Sequence, residues 1–540
     1  MAAGTQSGSA HSAPASAELW PHEEALKVAE RVRGYEPSQP VIFECGFGPS
    51  GLPHLGTMCE VLRPSYVRHA FQMLGTQRPT RLLVFIDDMD GLRKVPENVP
   101  RRDELVRHLG EPVCVIADPF ECCKSFADHM IGLLGAFLAP VEVDHELIRA
   151  SEMYSSGRFD EALKLILMRH KEIIEIIAPT LREENRAGWS PIMPVCPQCG
   201  QINATAVTGY HPERAVVEFS CQTSAAGARG CGWSGEQSVL GGKSKAGWKV
   251  DWALRWFVLK VDYELYGKDL IDSARLSSRI LRVLDGDPPL GFPFEMFLDE
   301  MGGKISKSVG NGVEVEQWQR YAPIEVLKYF LLRNPRRARR LYLEALPQQV
   351  DEYLDALRAY AAAPDDEARG NLPLALVLQR KSPRRFDSEL SFSMMMNLVA
   401  ALGSSDRKFI WSYLQRYDAA IASNPETEAM GHALMDCAIN FYKDFVEPTK
   451  QAFVPSEGER EQLGKFAAYL VANADASAEE IERKIYDLGR EHYDKPGKIF
   501  PLMYRAILGQ ERGPRLGAFI RLATPARIVE LLHAAAARTP

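Results

Sequence analysis

The 540-residue chain contains no run of about 18 apolar residues, so no membrane-spanning helix is expected. Ten cysteines are few for this length, which excludes a disulfide framework as the organising device. The first 17 residues, MAAGTQSGSAHSAPASA, hold neither Lys nor Arg. They therefore lack the basic start of a secretory signal and the arginines of a transit peptide. This stretch is expected to be a disordered tail on a cytoplasmic chain. A basic excess is missing as well. The formal net charge of −7 argues against a protein coated in cations, although a local basic face remains compatible with nucleic acid. No internal repeat is visible.

What is present is ordinary globular material, 46% hydrophobic and 25% charged, long enough for several modules. The apolar run Val41–Phe43 and the stretch RLLVFIDDMD (81–90) predict buried strands, the second ending in Asp87, Asp88 and Asp90. CVIAD (114–118) predicts another. Helical patterns separate them, which predicts an α/β fold with a parallel sheet and a site beyond the carboxyl ends of its strands. Residues 145–185 look helical, and 190–240 are turn-rich with cysteines and short β-branched stretches. APIEVLKYFLLRN (322–334) predicts an amphipathic helix with Pro323 near its start, and nearly everything beyond it is helical by periodicity.

The stretch PSGLPHLGT (Pro49–Thr57) sits between the first predicted strand and a helical run that Pro64 interrupts. A strand, a Gly/Pro loop and a helix form the usual α/β phosphate site, yet this loop is neither GxGxxG nor GxxxxGK[ST]. Attack on the α-phosphate of ATP builds negative charge on the pyrophosphate oxygens, and donors aimed there stabilise it without proton transfer. His54 at a helix start could supply a ring N–H, or it could simply cap the helix. Gly56 would leave room for adenine or ribose against the backbone. Far downstream, GGKISKSVGNG (302–312) sets Lys304 and Lys307 among serines on a Gly-rich loop. Such a loop could close over a triphosphate, or be a solvated basic loop.

Together His54-Leu55-Gly56-Thr57 and Lys304-Ile305-Ser306-Lys307-Ser308 resemble the HIGH and KMSKS signatures of class I aminoacyl-tRNA synthetases, with Thr57 in place of the second histidine and Ile305 in place of methionine. GFGPSGLPHLGT, DDMDGLRKVP (87–96), MYSSGRFDEAL (153–163), GWKVDWALRW (247–256), YGKDLIDSARLSSRI (266–280) and YRAILGQERGPRLGAFI (504–520) resemble the class I lysyl-tRNA synthetases in particular. The resemblance spans roughly residues 40 to 520. It implies a Rossmann-type α/β catalytic domain with a Cys-rich insertion, followed by an all-α anticodon-binding domain. The expected boundaries are a tail over 1–17, a first catalytic half over 18–145, an insertion over 146–245, a second catalytic half over 246–320, and a helical tRNA-contacting region over 321–540.

The resemblance implies that the chain joins lysine to tRNA(Lys) through lysyl-adenylate, with Mg²⁺ accompanying ATP and activation dependent on bound tRNA. Lys307, then Lys304, then His54 are the expected transition-state stabilisers, with Thr57 completing the signature. Pro49, Ser50, Gly51, His54, Gly56, Asp269, Ser306, Lys307 and Ser308 are expected around ATP. Where Leu270 stands the family often has histidine, so no contact is assigned to it. Lysine needs carboxylates for its ammonium groups and an apolar slot for its stem. Glu44, Gly48, Trp248, Asp251 and Trp252 are the candidates. Trp248, Trp252 and Trp256 share one helix face, as a lysine-lining wall or as core, and Trp256 is expected as core. A glutamate-charging relative or a non-catalytic tRNA-binding paralogue are the rival readings.

CPQCG (196–200) has the shape of a zinc knuckle that Cys196 and Cys199 would form. Cys221 and Cys231 could complete a Cys₄ site, with His211 as an alternative ligand or with no metal at all. Cys45, Cys59, Cys114, Cys122, Cys123 and Cys437 look like ordinary buried small residues. Basic residues concentrate in NPRRARRLYLE (334–344) and LQRKSPRRF (378–386). Arg336, Arg337, Arg339 and Arg340 are the expected tRNA phosphate contacts. A monomer is expected.

Overall fold

The computed structural model describes residues 20–539 except 98, 187, 224–226, 304, 306–313, 380–381 and 450–452. The chain divides into two units, one of Met1–Val313 with Leu331–Leu341 and one of Glu314–Phe330 with Tyr342–Pro540.

The first unit is organised by a four-stranded parallel sheet. Helix α1 (Trp20–Arg31) leads into strand β1 (Val41–Phe47), whose residues are nearly all buried, as the VIF run predicts. Helix α2 (Leu55–Met73) follows and carries Pro64 internally, and strand β2 (Thr80–Ile86) pairs with β1 in parallel from Val41↔Thr80 to Phe47↔Ile86. The third strand is β3 (Glu146–Arg149), paired Leu83↔Glu146 to Ile86↔Arg149. The expectation of a strand at 114–118 is corrected: that segment is a series of turns. Val113 and Cys114 donate their N–H groups to the carbonyls of Asp90 and Asp88, and Asp118 gathers the N–H groups of Phe120, Cys122 and Cys123. The strand formed instead lies at a sheet edge with half its residues exposed, so its sequence, ELIR, carries no apolar run. Helix α3 (Phe126–Leu138), capped by Ser125, precedes it.

The insertion is built on an antiparallel sheet of β4 (Thr205–His211), β5 (Val216–Cys221) and β6 (Ser234–Ser238). The chain then returns through helix α4 (Trp248–Leu259) to strand β7 (Tyr263–Glu264), which pairs with β1 through Phe43↔Tyr263 and Glu44↔Glu264. Helix α5 (Ile271–Val283) follows. The strand order β3-β2-β1-β7 reverses direction at β1, so the switch point falls between the carboxyl ends of β1 and β7. A core of Phe85, Tyr154, Phe159, Leu163, Trp252 and Leu254 fills the space between the sheet and the surrounding helices.

The second unit is α-helical, with no strand among its described residues. Its longest helices are Leu346–Ala362 and Pro425–Phe441, and helix α6 (Arg407–Tyr417) lies between them in sequence. No helix among the described residues is long and apolar enough to cross a membrane.

Candidate active site

His54 is the N-cap of α2. Its Nδ1 accepts the Thr57 N–H at 3.1 Å, while its own N–H lies 3.4 Å from Thr57 Oγ1. The capping alternative is thus the one the structure shows. Because Nδ1 is used as an acceptor, a neutral ring carries its proton on Nε2, where it is a donor. Thr57, 3% exposed, spends its hydroxyl on the cap. Gly56 is required by the histidine itself, since a Cβ there would lie 2.6 Å from His54 Cε1. Upstream, Gly48 and Ser50 are exposed and Pro49 and Gly51 buried in the loop leaving β1. Asp269 is exposed on a short 3₁₀ turn, Lys268–Leu270. Lys304, Ser306, Lys307 and Ser308 lie outside the described residues. Ile305, within the same signature, donates its N–H to Phe297 O at 3.2 Å.

At the carboxyl end of the sheet five acids share two cations. Arg255 reaches Glu44 through Nε (2.7 Å), Asp87 through Nη1 (3.3 Å) and Glu264 through Nη2 (3.5 Å). Lys245 lies 3.0 Å from Asp90 and 3.1 Å from Asp251. Gly46 allows this, because a Cβ there would sit 3.0 Å from Arg255 Nη2. The Arg255–Glu44 approach is close but off the N–H direction, so neither Glu44 oxygen has a well-aligned hydrogen bond among the described residues. Asp251 also accepts the Tyr154 hydroxyl, whose oxygen in turn accepts the Ala246 N–H.

The crowding shows in the protonation equilibria. Burial, then the neighbouring acids Glu264, Asp87 and Asp251, push the Glu44 carboxyl well up against the pull of Arg255. Burial also raises Asp87 to about 7, with Asp90 and Asp251 adding to it and Arg255 and Lys245 opposing. Burial works against the ammonium of Lys245, but Asp251, Asp90 and Asp87 outweigh it and hold the group charged. Asp88 stands apart: it is buried and bound by Arg149 and Ser151.

The three tryptophans do share one face of α4. Trp248 stacks on Trp252 with centroids 5.3 Å apart at 15°, and Trp252 meets Trp256 at 5.0 Å. Trp252 and Trp256, 2% and 4% exposed, both donate to Glu264 Oε2, whereas Trp248 is half-buried. Arg336 lies 3.8 Å over the Phe292 ring with Nη2 3.2 Å from Glu24; Arg337 and Arg340 are exposed, and Arg339 is half-buried in a two-residue strand.

The family model for tRNA synthetases class I (K) matches residues 18–378. The chain belongs to the class I lysyl-tRNA synthetases. This synthetase is 37% identical over 506 residues to the Lysine--tRNA ligase of Rickettsia africae (strain ESF-5), covering 93% of this chain and 95% of that protein. Its identity to the Lysine--tRNA ligase of Rickettsia prowazekii (strain Madrid E) is also 37%, over 93% and 94% of the two chains. Among solved structures, the glutamate-tRNA synthetase of Elizabethkingia anophelis aligns with a TM-score of 0.38 at 13% identity, over 93% of this chain and 100% of that one.

The synthetase brings Cys196, Cys199, Cys221 and Cys231 together with all four sulfurs within 4.8 Å of one another. The Cys196–Cys231 and Cys199–Cys221 sulfur separations are 3.7 Å and 3.6 Å. A tetrahedron with metal–sulfur arms of about 2.3 Å has edges of about 3.8 Å, so the set fits Zn²⁺. Gly200 and Gly232, at φ +73° and +83°, turn the two knuckles. His211 is paired instead with Glu218 at 2.8 Å.

Sequence reasoning missed a second cluster. Cys122 and Cys123, expected as buried, are exposed and face Asp118 and His129, again with ligand atoms within 4.8 Å. The correction follows from the Asp118-centred turn, which folds the two thiols outward toward α3. It missed Arg255, Lys245, Tyr154 and Glu264 as well. Arg255 left a signal, a cation four residues after Asp251 in a mostly apolar helix, and Tyr154 lies within the quoted stretch 153–163.

Proposed function

We propose that the acid-rich end of the sheet is where this lysine–tRNA ligase takes hold of its amino acid. The enzyme joins L-lysine to tRNA, as membership of its family establishes. The observation that carries the site assignment is the charge balance: among the described residues Glu44, Asp87, Asp90, Asp251 and Glu264 pair with two cations, Arg255 and Lys245. A dicationic amino acid supplies the missing positive charge, and a substrate with an anionic side chain would worsen the imbalance, which disfavours glutamate. Gly48 and the half-buried face of Trp248, stacked on Trp252, border the cluster with open backbone and an indole wall suited to an alkyl stem. Glu44 lies behind against Arg255, and Asp251 against Lys245. Asp87 and Asp90, whose side chains are 20% and 37% exposed, are the acids a substrate ammonium can meet.

ATP is assigned to the adjoining end of α2, over Pro49–Gly51, with Asp269 on the far side. The lysine carboxylate attacks the α-phosphorus and the bond to pyrophosphate breaks. His54 Nε2–H is oriented toward the departing charge by its Nδ1 cap. Lys304 and Lys307 keep the transition-state role the family resemblance gives them, and Mg²⁺ accompanies the nucleotide. A terminal ribose hydroxyl of tRNA then attacks the lysyl carbonyl and AMP leaves. Arg336–Arg340 are assigned to tRNA phosphates and the 321–540 region to the anticodon. Zn²⁺ at the Cys₄ set would hold the insertion, and Asp118, Cys122, Cys123 and His129 offer a second, mixed set of ligands. The reading places a monomeric enzyme in the cytoplasm.

Charging of total tRNA with each of the twenty amino acids tests the reading. Lysine alone is expected to be attached, and Asp87→Asn to raise the KM for lysine at least tenfold with a smaller change in kcat. Attachment of glutamate, or an unchanged KM in the variant, overturns it.

A further inference from the structure

Helix α6 turns one face, Ile410, Trp411 and Leu414, into the core of the second unit. Its outer face is unusual. Phe409 is 43% exposed and meets the half-buried Tyr413 edge-on at 5.2 Å. The Arg416 guanidinium lies 4.9 Å from the Tyr413 ring centre, and Lys408 stands at the other end of the stripe. Positions 408, 409, 412, 413 and 416 fall on one side of the helix. Among the described residues neither Lys408 nor Arg416 has an ion-pair partner.

The acids at the two ends are committed elsewhere. Asp406 caps the helix through the N–H groups of Lys408 and Phe409, and Asp418 accepts from Ser388, Glu389 and Ala420. Arg407, just off the stripe, is already held by Asp436 at 2.9 Å. Another aromatic patch of this unit is Tyr486, Phe500 and Tyr504. There Arg490 pairs with Asp487 and Lys498 with Asp494, and the Tyr504 hydroxyl is bound to Pro514 O. Arg483 and Lys484 precede Tyr486 on its helix, and Lys484 lies over the Tyr469 ring; on α6 the cations stand at both ends of the ring pair.

We propose that this face of α6 receives an unpaired stretch of tRNA, the loop of the anticodon arm, and so names residues for a recognition step the rest of the chain leaves unassigned. The assignment rests on the lysine–tRNA ligase reading above. Unstacked bases lie on exposed aromatic rings whatever their identity, and the cations take the phosphates on either side. Lys408 and Arg416 are separated by eight residues, about 12 Å along a helix, a reach that covers successive phosphates of an extended strand. A paired RNA stem would present no base face to Phe409.

The test uses the full-length protein and two labelled RNA hairpins, an anticodon arm with its natural loop and one with the loop replaced by paired residues and a tight turn. The wild-type chain is expected to prefer the natural loop. Phe409→Ala with Tyr413→Ala should weaken its binding roughly tenfold or more. Lys408→Glu with Arg416→Glu should flatten the dependence of log affinity on log salt by about 1.4. Arg416→Lys should keep the salt slope. Equal binding of both hairpins by the wild type, or unchanged loop preference in the two double variants, overturns the proposal. These positions are at the surface, so circular dichroism is expected to show an unchanged fold. Lysine charging by the wild-type protein is scored separately, so failure of the ligase reading is distinguishable from failure of this one.

Discussion

At the scale of single residues, Asp87 gives the site a pH dependence of definite sign. A carboxylate near 3.9 in an unfolded chain stands at about 7 here, mainly because it is buried and faces Asp90 and Asp251. Between those values the folded chain holds the extra proton, so stability falls as pH rises from about 4 to 7. A lysine ammonium beside Asp87 favours the ionised form and releases that proton on binding. Lysine affinity is therefore expected to rise by up to about tenfold per pH unit below 7 and to level off above it. Calorimetry across pH 5.5 to 8, in buffers of different ionisation enthalpy, checks both the slope and the proton release. A flat profile in the wild type contradicts the assignment, and Asp87→Asn is expected to give one.

Two further residues carry separate consequences. Lys245 is 2% exposed between Asp90 and Asp251, so Lys245→Met leaves the buried Asp251 carboxylate without its cation and should destabilise the fold by about 3 kcal/mol in urea unfolding. Gly56→Ala puts a methyl where the His54 ring lies. Adenylate formation is expected to drop at least tenfold, and adding His54→Ala should cost little more, because both changes remove one orientation of one ring. Fully additive losses would show that Gly56 acts elsewhere. The HxG spacing was visible in the sequence; its reason was not, because the clash is between a side chain and its own helix start.

At the scale of elements, what could be read in the sequence depended on whether the signal was local. β1, β2 and α2 announce themselves by apolar runs and by a capped, Pro-containing helix. β3 does not, since an edge strand needs no continuous hydrophobic side, and the buried-looking CVIAD is bent into turns by hydrogen bonds to the loop after β2. The same contrast separates the two cysteine clusters. Cys196 and Cys199 lie on one knuckle, whereas Cys122 and Cys123 become ligand-like only once Asp118 folds their loop against His129. Elemental analysis of the purified protein is expected to find about two zinc equivalents. Cys199→Ser and His129→Ala should each remove one, and the first should also loosen β4–β6 in hydrogen exchange. Retention of both equivalents in His129→Ala would leave the second cluster without a metal role.

At the scale of the whole molecule, the acid cluster and the groups of metal-ligand side chains are concentrated in one unit. The acid cluster, α2 and both ligand sets belong to Met1–Val313, while the second unit is helical with its own core of residues such as Trp411, Leu434 and Phe466. A chain with two such cores need not unfold in one step. Lysine binds only the folded first unit in this reading, and at a hundredfold excess over Kd it adds about 2.7 kcal/mol to that unit. For a unit of this size the gain corresponds to a rise of roughly 5 °C in its transition. A chelator should lower the same transition by removing metal from the insertion. Scanning calorimetry of the intact enzyme is therefore expected to show one transition that moves up with lysine and down with chelator, and another indifferent to both. If lysine raises the transition reported by unfolding of the helical unit instead, the amino acid does not bind at the end of the β-sheet.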